Sequence, residues 1–214
     1  MDLHEALYTT RAMRRLKPDS IPHDAQARIL DAAIRAPNIG EGWRFVLVDD
    51  RELLAQFAPL YQRSWERLFE QFGTTVADMV QAPGATGRAA RSGDHLARHF
   101  ADIPLLLLAF SQDREGSGAL PAVWSAMLAA RAEGIGSTLT GVLQTFFPDE
   151  AFELIGAPMD EGWHLHAVVP MGYPLGRWGV APRRPVHEVA ARNRWDGPLG
   201  FTVDAPLWPG GAQR

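Results

Sequence analysis

Two arginine clusters, one near each end of this 214-residue chain, are the residues best suited to bind an anion. The first is Arg11-Ala12-Met13-Arg14-Arg15. On a helix, Arg11 and Arg14 or Arg15 would share one face and could fork around a phosphate group. Arginine suits this task because its planar guanidinium offers several donors at once. Taken alone, however, the cluster is explained more simply as a solvated basic helix end.

The second cluster consists of Arg183 and Arg184, which lie between Pro182 and Pro185. The two prolines would keep this segment stiff and extended, and stiffness lowers the entropic cost of holding an anion. A surface loop would also explain the cluster. The two arginine clusters therefore predict a phosphate site only when they are considered together.

A glycine-rich segment, GIGSTLTG at residues 134–141, could present backbone amides and hydroxyls to a flat heterocycle. It is not a dinucleotide-binding fingerprint, because it follows a predicted helix and lacks the third glycine at the required spacing. Trp43-Arg44-Phe45 could also place backbone amides near a planar ligand. A strand that starts with an aromatic core anchor explains Trp43 equally well.

Several other kinds of chemistry are excluded or weakly supported. The chain has no cysteine, which excludes disulfides, iron–sulfur clusters and cysteine nucleophiles. The pairs His95/His99 and His164/His166 have metal-ligand spacing, but neither has an evident third ligand. There is no G-x-S-x-G serine elbow either.

Composition indicates a single globular domain that acts on small molecules. A hydrophobic content of 46% allows one substantial core, and the net charge of −4 argues against nucleic acid or an anionic membrane as partner. The first residues lack the apolar core of a signal peptide, and no apolar run reaches the roughly 20 residues that span a bilayer. We therefore expect a soluble, cytoplasmic protein.

Hydrophobic periodicity and turn residues predict alternating helices and strands. A first helix should end near Arg14 to Leu16, and alanine-rich residues 121–133 should form a helix that is packed all round. Residues 81–93, rich in alanine, glycine and arginine, are predicted to be mobile, within a variable helical excursion at about 58–100. Together these elements predict one α+β or α/β three-layer domain over residues 1–214. Further helices are predicted at 24–36, near 50 and at 61–72, and strands at 43–48, 103–110 and 165–171.

In order along the chain, these motifs resemble the nitroreductase family. The resemblance covers about the first 50 residues and residues 103–195. It implies a nitroreductase-like three-layer α-β-α sandwich with a mixed, mainly antiparallel sheet, in an interlocked homodimer that binds FMN at the subunit interface. The motifs are TRAMRR at 10–15, ILDAAIRAPN at 29–38, WRF at 43–45, GIGSTLTG at 134–141, GYP at 172–174, PRRP at 182–185 and RW at 194–195.

The resemblance also implies which residues bind the cofactor. Arg11 and Arg14, within the Arg11-Ala12-Met13-Arg14 segment, would contact the flavin phosphate and the ribityl chain or ring edge, and Arg183 would complete the phosphate site. Backbone groups of Leu139, Thr140 and Gly141 would contact the isoalloxazine ring, and Asn38 would come from the partner subunit.

The sequence departs from the family pattern at two places near the expected cofactor site. Ala12 replaces the usual serine, and the loop from Asn38 to Gly42 is shortened. A hydrogen bond that the family makes to the flavin ring would then be lost, or be supplied by Glu41. These departures predict altered redox chemistry or substrate preference rather than lost binding.

By resemblance, the function is that of an FMN-dependent oxidoreductase that transfers hydride or electrons from NAD(P)H to a nitroaromatic, quinone or similar acceptor by a ping-pong mechanism. No protein acid or base and no metal is required. Trp65 and Phe69 are predicted to cover the acceptor pocket. The alternatives are a dehalogenating or flavin-destroying enzyme of the same fold, or a non-catalytic protein that binds or stores flavin.

Overall fold

A computed structural model describes residues 1–38, 40 and 42–208 of the chain. The chain divides into two compact units. The larger is Arg11–Arg177, and the smaller combines Met1–Thr10 with Trp178–Arg214. The elements, in chain order, are α1 (Leu3–Thr9), α2 (His23–Ala33), β1 (Trp43–Val48), α3 (Arg51–Glu70), α4 (Val76–Gln81), α5 (Gly84–Arg98), β2 (Leu105–Ser111), α6 (Ala119–Ala132), β3 (Gly136–Ser137), α7 (Val142–Phe146), α8 (Pro148–Ile155) and β4 (His164–Gly172).

The centre of the larger unit is an antiparallel sheet with strand order β1-β2-β4-β3. All seven residues of β2 are buried, as expected for a continuously apolar strand that has neighbours on both edges. The predicted strands at 43–48, 103–110 and 165–171 are therefore confirmed to within a few residues.

Two hydrophobic clusters lie on opposite faces of this sheet, because alternate residues of a strand point to opposite sides. Leu106 and Leu108 of β2 belong to the cluster that includes core residues of α3, α5, α7 and α8. Leu105 and Leu107 belong to the cluster formed with α2 and α6. Helices thus cover both faces, and the predicted three-layer α+β arrangement is confirmed for this unit.

The predicted extension of the first helix to Arg14–Leu16 is wrong. Helix α1 ends at Thr9, and the chain then runs extended, with bridges from Ala12 to Ser137 and from Leu16 to Pro174. The cause is pairing with distant backbone: the Met13 N–H donates to the Ser137 carbonyl at 2.9 Å, and this pairing outweighs local helical spacing. Arg11 and Arg14 or Arg15 therefore do not share a helical face.

Most of residues 81–93, which are predicted to be mobile, lie in helix α5. The small residues of this helix allow close packing: a Cβ on Gly93 would lie 2.3 Å from Cη2 of Trp65. Leu60 and Leu96 are buried in the cluster that packs on the sheet. Residues at both ends of the stretch from 58 to 100 therefore contribute to the core, and its assignment as a variable helical excursion stays a prediction.

Replacing Gly93 with alanine should lower the free energy of unfolding by about 1 to 3 kcal/mol, because the new methyl group overpacks the contact between α3 and α5. Chemical denaturation measures this effect. The double variant Gly93→Ala/Trp65→Phe, with its smaller ring, should regain part of the loss. A single variant as stable as the wild type would show that Gly93 does not limit this packing.

Helix α6 is not packed all round, contrary to the expectation from its alanine content. Ala122, Ala126 and Ala130 are buried in the cluster with α2 and the sheet, but Leu120 and Trp124 are 42% and 43% exposed. Leu120 and Trp124 leave apolar surface on the outer side of the larger unit.

The smaller unit contains α1 and, among its described residues, the stretch 178–208, which forms a 3₁₀ helix at Val186–Glu188 between irregular segments. The ring of Tyr8 on α1 lies 5.7 Å from that of Trp208. A mainly apolar groove of about 510 Å³ lies between Tyr8, residues 180–186 and residues 203–207, and Thr10 also lines it. In the part of the chain that the structure describes, no helix combines the length and apolar character needed to cross a membrane.

Candidate functional site

The structure places the first arginine cluster beside the glycine-rich segment, although the two are distant in sequence. Ala12 bridges to Ser137, and the Met13 N–H donates to the Ser137 carbonyl. The contact requires glycine at position 136, since a Cβ there would lie 2.8 Å from the Cβ of Met13. The first arginine cluster and the glycine-rich segment are thus adjacent in the larger unit.

Residues 138–141 continue from β3 alongside β4. The Thr138 N–H donates to the Pro170 carbonyl at 3.3 Å, and the Thr140 N–H donates to the Val168 carbonyl at 3.0 Å. Leu139 is 47% exposed, whereas the buried Thr138 Oγ1 has no hydrogen-bond partner among the described residues. This segment therefore carries an exposed apolar side chain and an unsatisfied hydroxyl.

Arg14 is partly buried, yet its guanidinium makes no hydrogen bond or ion pair with any residue that the structure describes. Burial lowers the pKa of Arg14, and the nearby Tyr61 offsets part of this change. The group nevertheless stays protonated, because the pKa of arginine lies far above neutral pH. A partly desolvated cation without a partner is unfavourable, so this position favours an anionic or electron-rich ligand.

The other two arginines of the cluster are placed differently. Arg11 is partly buried, and its Nη2 donates to the Arg177 carbonyl at 2.7 Å. Arg15 is exposed, and its carbonyl accepts from the Leu175 N–H at 2.9 Å. Arg14 is thus the member of this cluster that is partly buried and has no side-chain partner in the part of the chain that the structure describes.

Tyr61 on α3 contacts Thr140 and was not predicted as a site residue. Its hydroxyl lies 3.1 Å from Thr140 Oγ1, and its ring stacks on Phe100 with centroids 4.2 Å apart. Burial raises the pKa of Tyr61. The sequence gives no signal for this contact, because a tyrosine on an apolar helix face is typical of a core position.

Asn38 lies at the far end of the sheet from Arg14. It precedes β1, whose first residue Trp43 pairs with Ser111, whereas Ser137 pairs with Met171 at the opposite end of β4. The Asn38 side chain packs against Gly118, where a Cβ would come within 2.6 Å of Oδ1. Within one chain, Asn38 and Arg14 are therefore far apart. Glu41, the other residue predicted near the flavin ring, lies outside the described residues.

Arg183 belongs to the smaller unit, where it lines the apolar groove together with Arg184. It is exposed, and its Nη1 donates to the adjacent Pro182 carbonyl at 3.0 Å. Its part in a phosphate site stays a prediction.

The histidine pairs and the predicted lid have structural explanations within the larger unit. The rings of His95 and His99 stack at 4.2 Å, and His166 Nε2 lies 2.8 Å from the Asp113 carbonyl oxygen. Among the described residues, no three or more histidine, aspartate or glutamate side chains gather as metal ligands do. Trp65 packs edge-on against Phe69 and over Gly93. That these two rings cover an acceptor pocket stays a prediction.

Comparison with known proteins identifies a family and several relatives that this chain resembles. The model of the nitroreductase family matches residues 7–173. An iodotyrosine deiodinase from Thermotoga neapolitana is 25% identical over 198 residues, which is 89% of this chain and 96% of the relative.

Two solved structures share the fold. One is an oxidized iodotyrosine deiodinase bound to FMN and 3-iodo-L-tyrosine, with a TM-score of 0.66, 24% identity and coverage of 85% of this chain and 95% of that one. The other is the NADPH:FMN oxidoreductase of Vibrio harveyi complexed with NAD⁺, with a TM-score of 0.66, 16% identity and coverage of 89% and 76%. These similarities confirm the predicted fold class.

Proposed function

The chain belongs to the nitroreductase family, as its motifs predicted, and from this premise we propose that it is an FMN-dependent oxidoreductase. It transfers hydride or electrons from NAD(P)H to a small organic acceptor, such as a nitroaromatic compound or a quinone. The observation that carries the proposal is the partly buried Arg14 beside residues 138–141, whose guanidinium has no partner among the described residues. A ligand that is flat at one end and anionic at the other fits such a surface.

The charge of Arg14 and the exposed Leu139 beside it support FMN as the ligand. Arg11 and Arg14, on the segment that includes Ala12 and Met13, would bind the phosphate and the ribityl chain or ring edge. Leu139, Thr140 and Gly141 would contact the flat ring, where the exposed Leu139 side chain would exclude water. Bound FMN would supply the two-electron chemistry that amino-acid side chains lack, while the protein would orient the reactants.

The proposal includes a homodimer in which each cofactor contacts both chains. Asn38 and Arg14 lie at opposite ends of the sheet, so Asn38 would serve the cofactor of the partner subunit. The exposed Leu120 and Trp124 of α6 offer the apolar surface that a stable interface buries. Sedimentation of the purified protein tests this step, and a monomer with bound FMN would contradict it.

Steady-state kinetics test the reaction itself. Protein loaded with FMN should oxidise NADH or NADPH when a quinone or nitroaromatic acceptor is present, with the parallel double-reciprocal lines of a ping-pong mechanism. The control is free FMN at the same concentration, without protein. If the loaded protein oxidised neither nucleotide above this control, the proposed function would be replaced by flavin binding or storage.

Reductive dehalogenation is a second candidate, favoured by the similarity to the Thermotoga deiodinase over nearly the whole chain. In this reaction the carbon–iodine bond of a halogenated phenol accepts two electrons and one proton, and iodide leaves. NAD(P)H or dithionite would supply the electrons. Iodide release from 3-iodo-L-tyrosine, exceeding the rate with quinone acceptors, would favour this candidate over the first.

Replacing Arg183 with alanine should weaken FMN binding about tenfold or more, the effect expected when a hydrogen bond to a charged group is lost. Arg184→Ala is the matched control, because both arginines line the same groove. Fluorescence titration measures the two affinities. A loss confined to the Arg184 variant would assign the phosphate contact to Arg184 instead.

A further inference from the structure

The hydrogen bond between Tyr61 and Thr140 joins the core to the segment that would contact the cofactor. Tyr61 is 2% exposed and lies on α3, within the hydrophobic cluster that covers one face of the sheet. Thr140 is partly exposed and precedes α7. A buried side chain therefore makes a polar contact with a residue at the ligand-facing surface.

The geometry leaves the Tyr61 hydroxyl little freedom. Stacking on Phe100, with ring centroids 4.2 Å apart, fixes the ring, and the hydroxyl makes no other hydrogen bond to a described residue. Buried donors are nearly always satisfied, so we assign the Tyr61 hydroxyl as the donor and Thr140 Oγ1 as the acceptor.

The backbone of Thr140 is also held in place. Its N–H donates to the Val168 carbonyl at 3.0 Å, and its carbonyl accepts from the Val168 N–H at 3.4 Å. The main remaining freedom is rotation of the side chain and its hydroxyl. If Tyr61 occupies one lone pair of Oγ1, the hydroxyl proton of Thr140 is left to donate elsewhere.

We propose that Tyr61 is a positioning residue, which holds Thr140 so that the threonine hydroxyl donates a hydrogen bond to the bound flavin. This inference rests on the proposed function, because it needs FMN beside residues 138–141. Tyr61 itself contacts the cofactor only through Thr140.

The test compares Tyr61→Phe, Thr140→Val and the double variant by FMN titration and by the visible absorption band of bound FMN. Each single change should weaken binding about fivefold, which is typical of one neutral hydrogen bond. The two single variants should shift the absorption band of bound FMN in the same direction and by a similar amount. The double variant should be no weaker than Thr140→Val, because Tyr61 acts through Thr140.

Two further variants separate positioning from a general effect on folding. Ser64→Ala removes another buried hydroxyl of α3, which donates only to the Leu60 carbonyl of its own helix, and should leave FMN affinity and absorption unchanged. Thr140→Ser keeps the hydroxyl and should retain most of the wild-type affinity. Thermal unfolding of the FMN-free proteins shows whether each variant is folded.

The outcomes distinguish this inference from the proposed function. Wild-type protein that binds FMN, together with an unchanged Tyr61→Phe variant, would overturn the role of Tyr61 alone. Additive losses in the double variant would also overturn it, since Tyr61 would then act independently of Thr140. Wild-type protein that binds no FMN would overturn the proposed function, and this inference with it.

Discussion

Replacing Arg14 with methionine should weaken FMN binding by about 10- to 100-fold, the range expected for a lost hydrogen bond to a charged group. Arg14 is partly buried and has no partner among the described residues, so its interactions are available to the ligand. The FMN-free variant should be at least as stable as the wild type, because methionine removes a charge that burial disfavours.

Arg15→Met is the matched control for this prediction. Arg15 lies next to Arg14 on the same extended segment, but it is exposed and contacts Leu175 through its backbone carbonyl. Fluorescence titration with FMN should show nearly wild-type affinity for the Arg15 variant. Equal losses in both variants would indicate a general effect of positive charge and would contradict a specific role for Arg14.

Replacing Gly136 with alanine should lower both protein stability and FMN affinity. The new Cβ would lie 2.8 Å from the Cβ of Met13 and 3.2 Å from that of Pro174, and neither atom can move without its backbone. Overpacking of this kind costs about 1 to 3 kcal/mol of unfolding free energy. Because the displaced segment carries Arg11 and Arg14, the loss of FMN affinity should approach that of Arg14→Met.

Gly176→Ala provides the comparison, because a Cβ at that position meets no atom within 4 Å. Its stability should stay within about 0.5 kcal/mol of the wild type, as is usual for surface substitutions. Denaturant unfolding and FMN titration of both variants test the pair. An unchanged FMN affinity in folded Gly136→Ala would show that the contact between Met13 and Gly136 does not position the arginines.

The sequence predicted the elements whose local pattern agrees with their tertiary environment. The apolar run that became β2 is buried on both faces, and the periodic segment that became α2 packs on the sheet. The first helix was predicted too long because its apolar spacing continues past Thr9. Pairing with distant backbone makes that stretch extended, for example between Met13 and Ser137 and between Lys17 and Tyr173.

The glycine and alanine residues of α5 show a second reason why local sequence does not always determine structure. A small, polar stretch is typical of a mobile loop, and it is equally typical of a helix that packs very closely against a neighbour. The deciding partner, Trp65, lies on another helix, so the local sequence could not distinguish the two structures.

The candidate site was predicted in part, for similar reasons. Arginine clusters and glycine runs are visible as motifs, and the structure brings residues 11–14 and 136–141 together. The local sequence could not predict that Arg14 is partly buried with no partner among the described residues, because burial depends on the tertiary fold. Tyr61 was missed because it lies 79 residues from Thr140 in sequence.

The central claim is that this chain binds FMN through a site for the phosphate group as well as the ring. Parallel titration of the FMN-free wild-type protein with FMN and with riboflavin, which lacks the phosphate, tests it most directly. We expect one FMN to bind per chain, with an affinity about tenfold or more above that for riboflavin, because each charged hydrogen bond contributes at least this factor. Equal affinity for the two flavins, or no FMN binding, would contradict the claim.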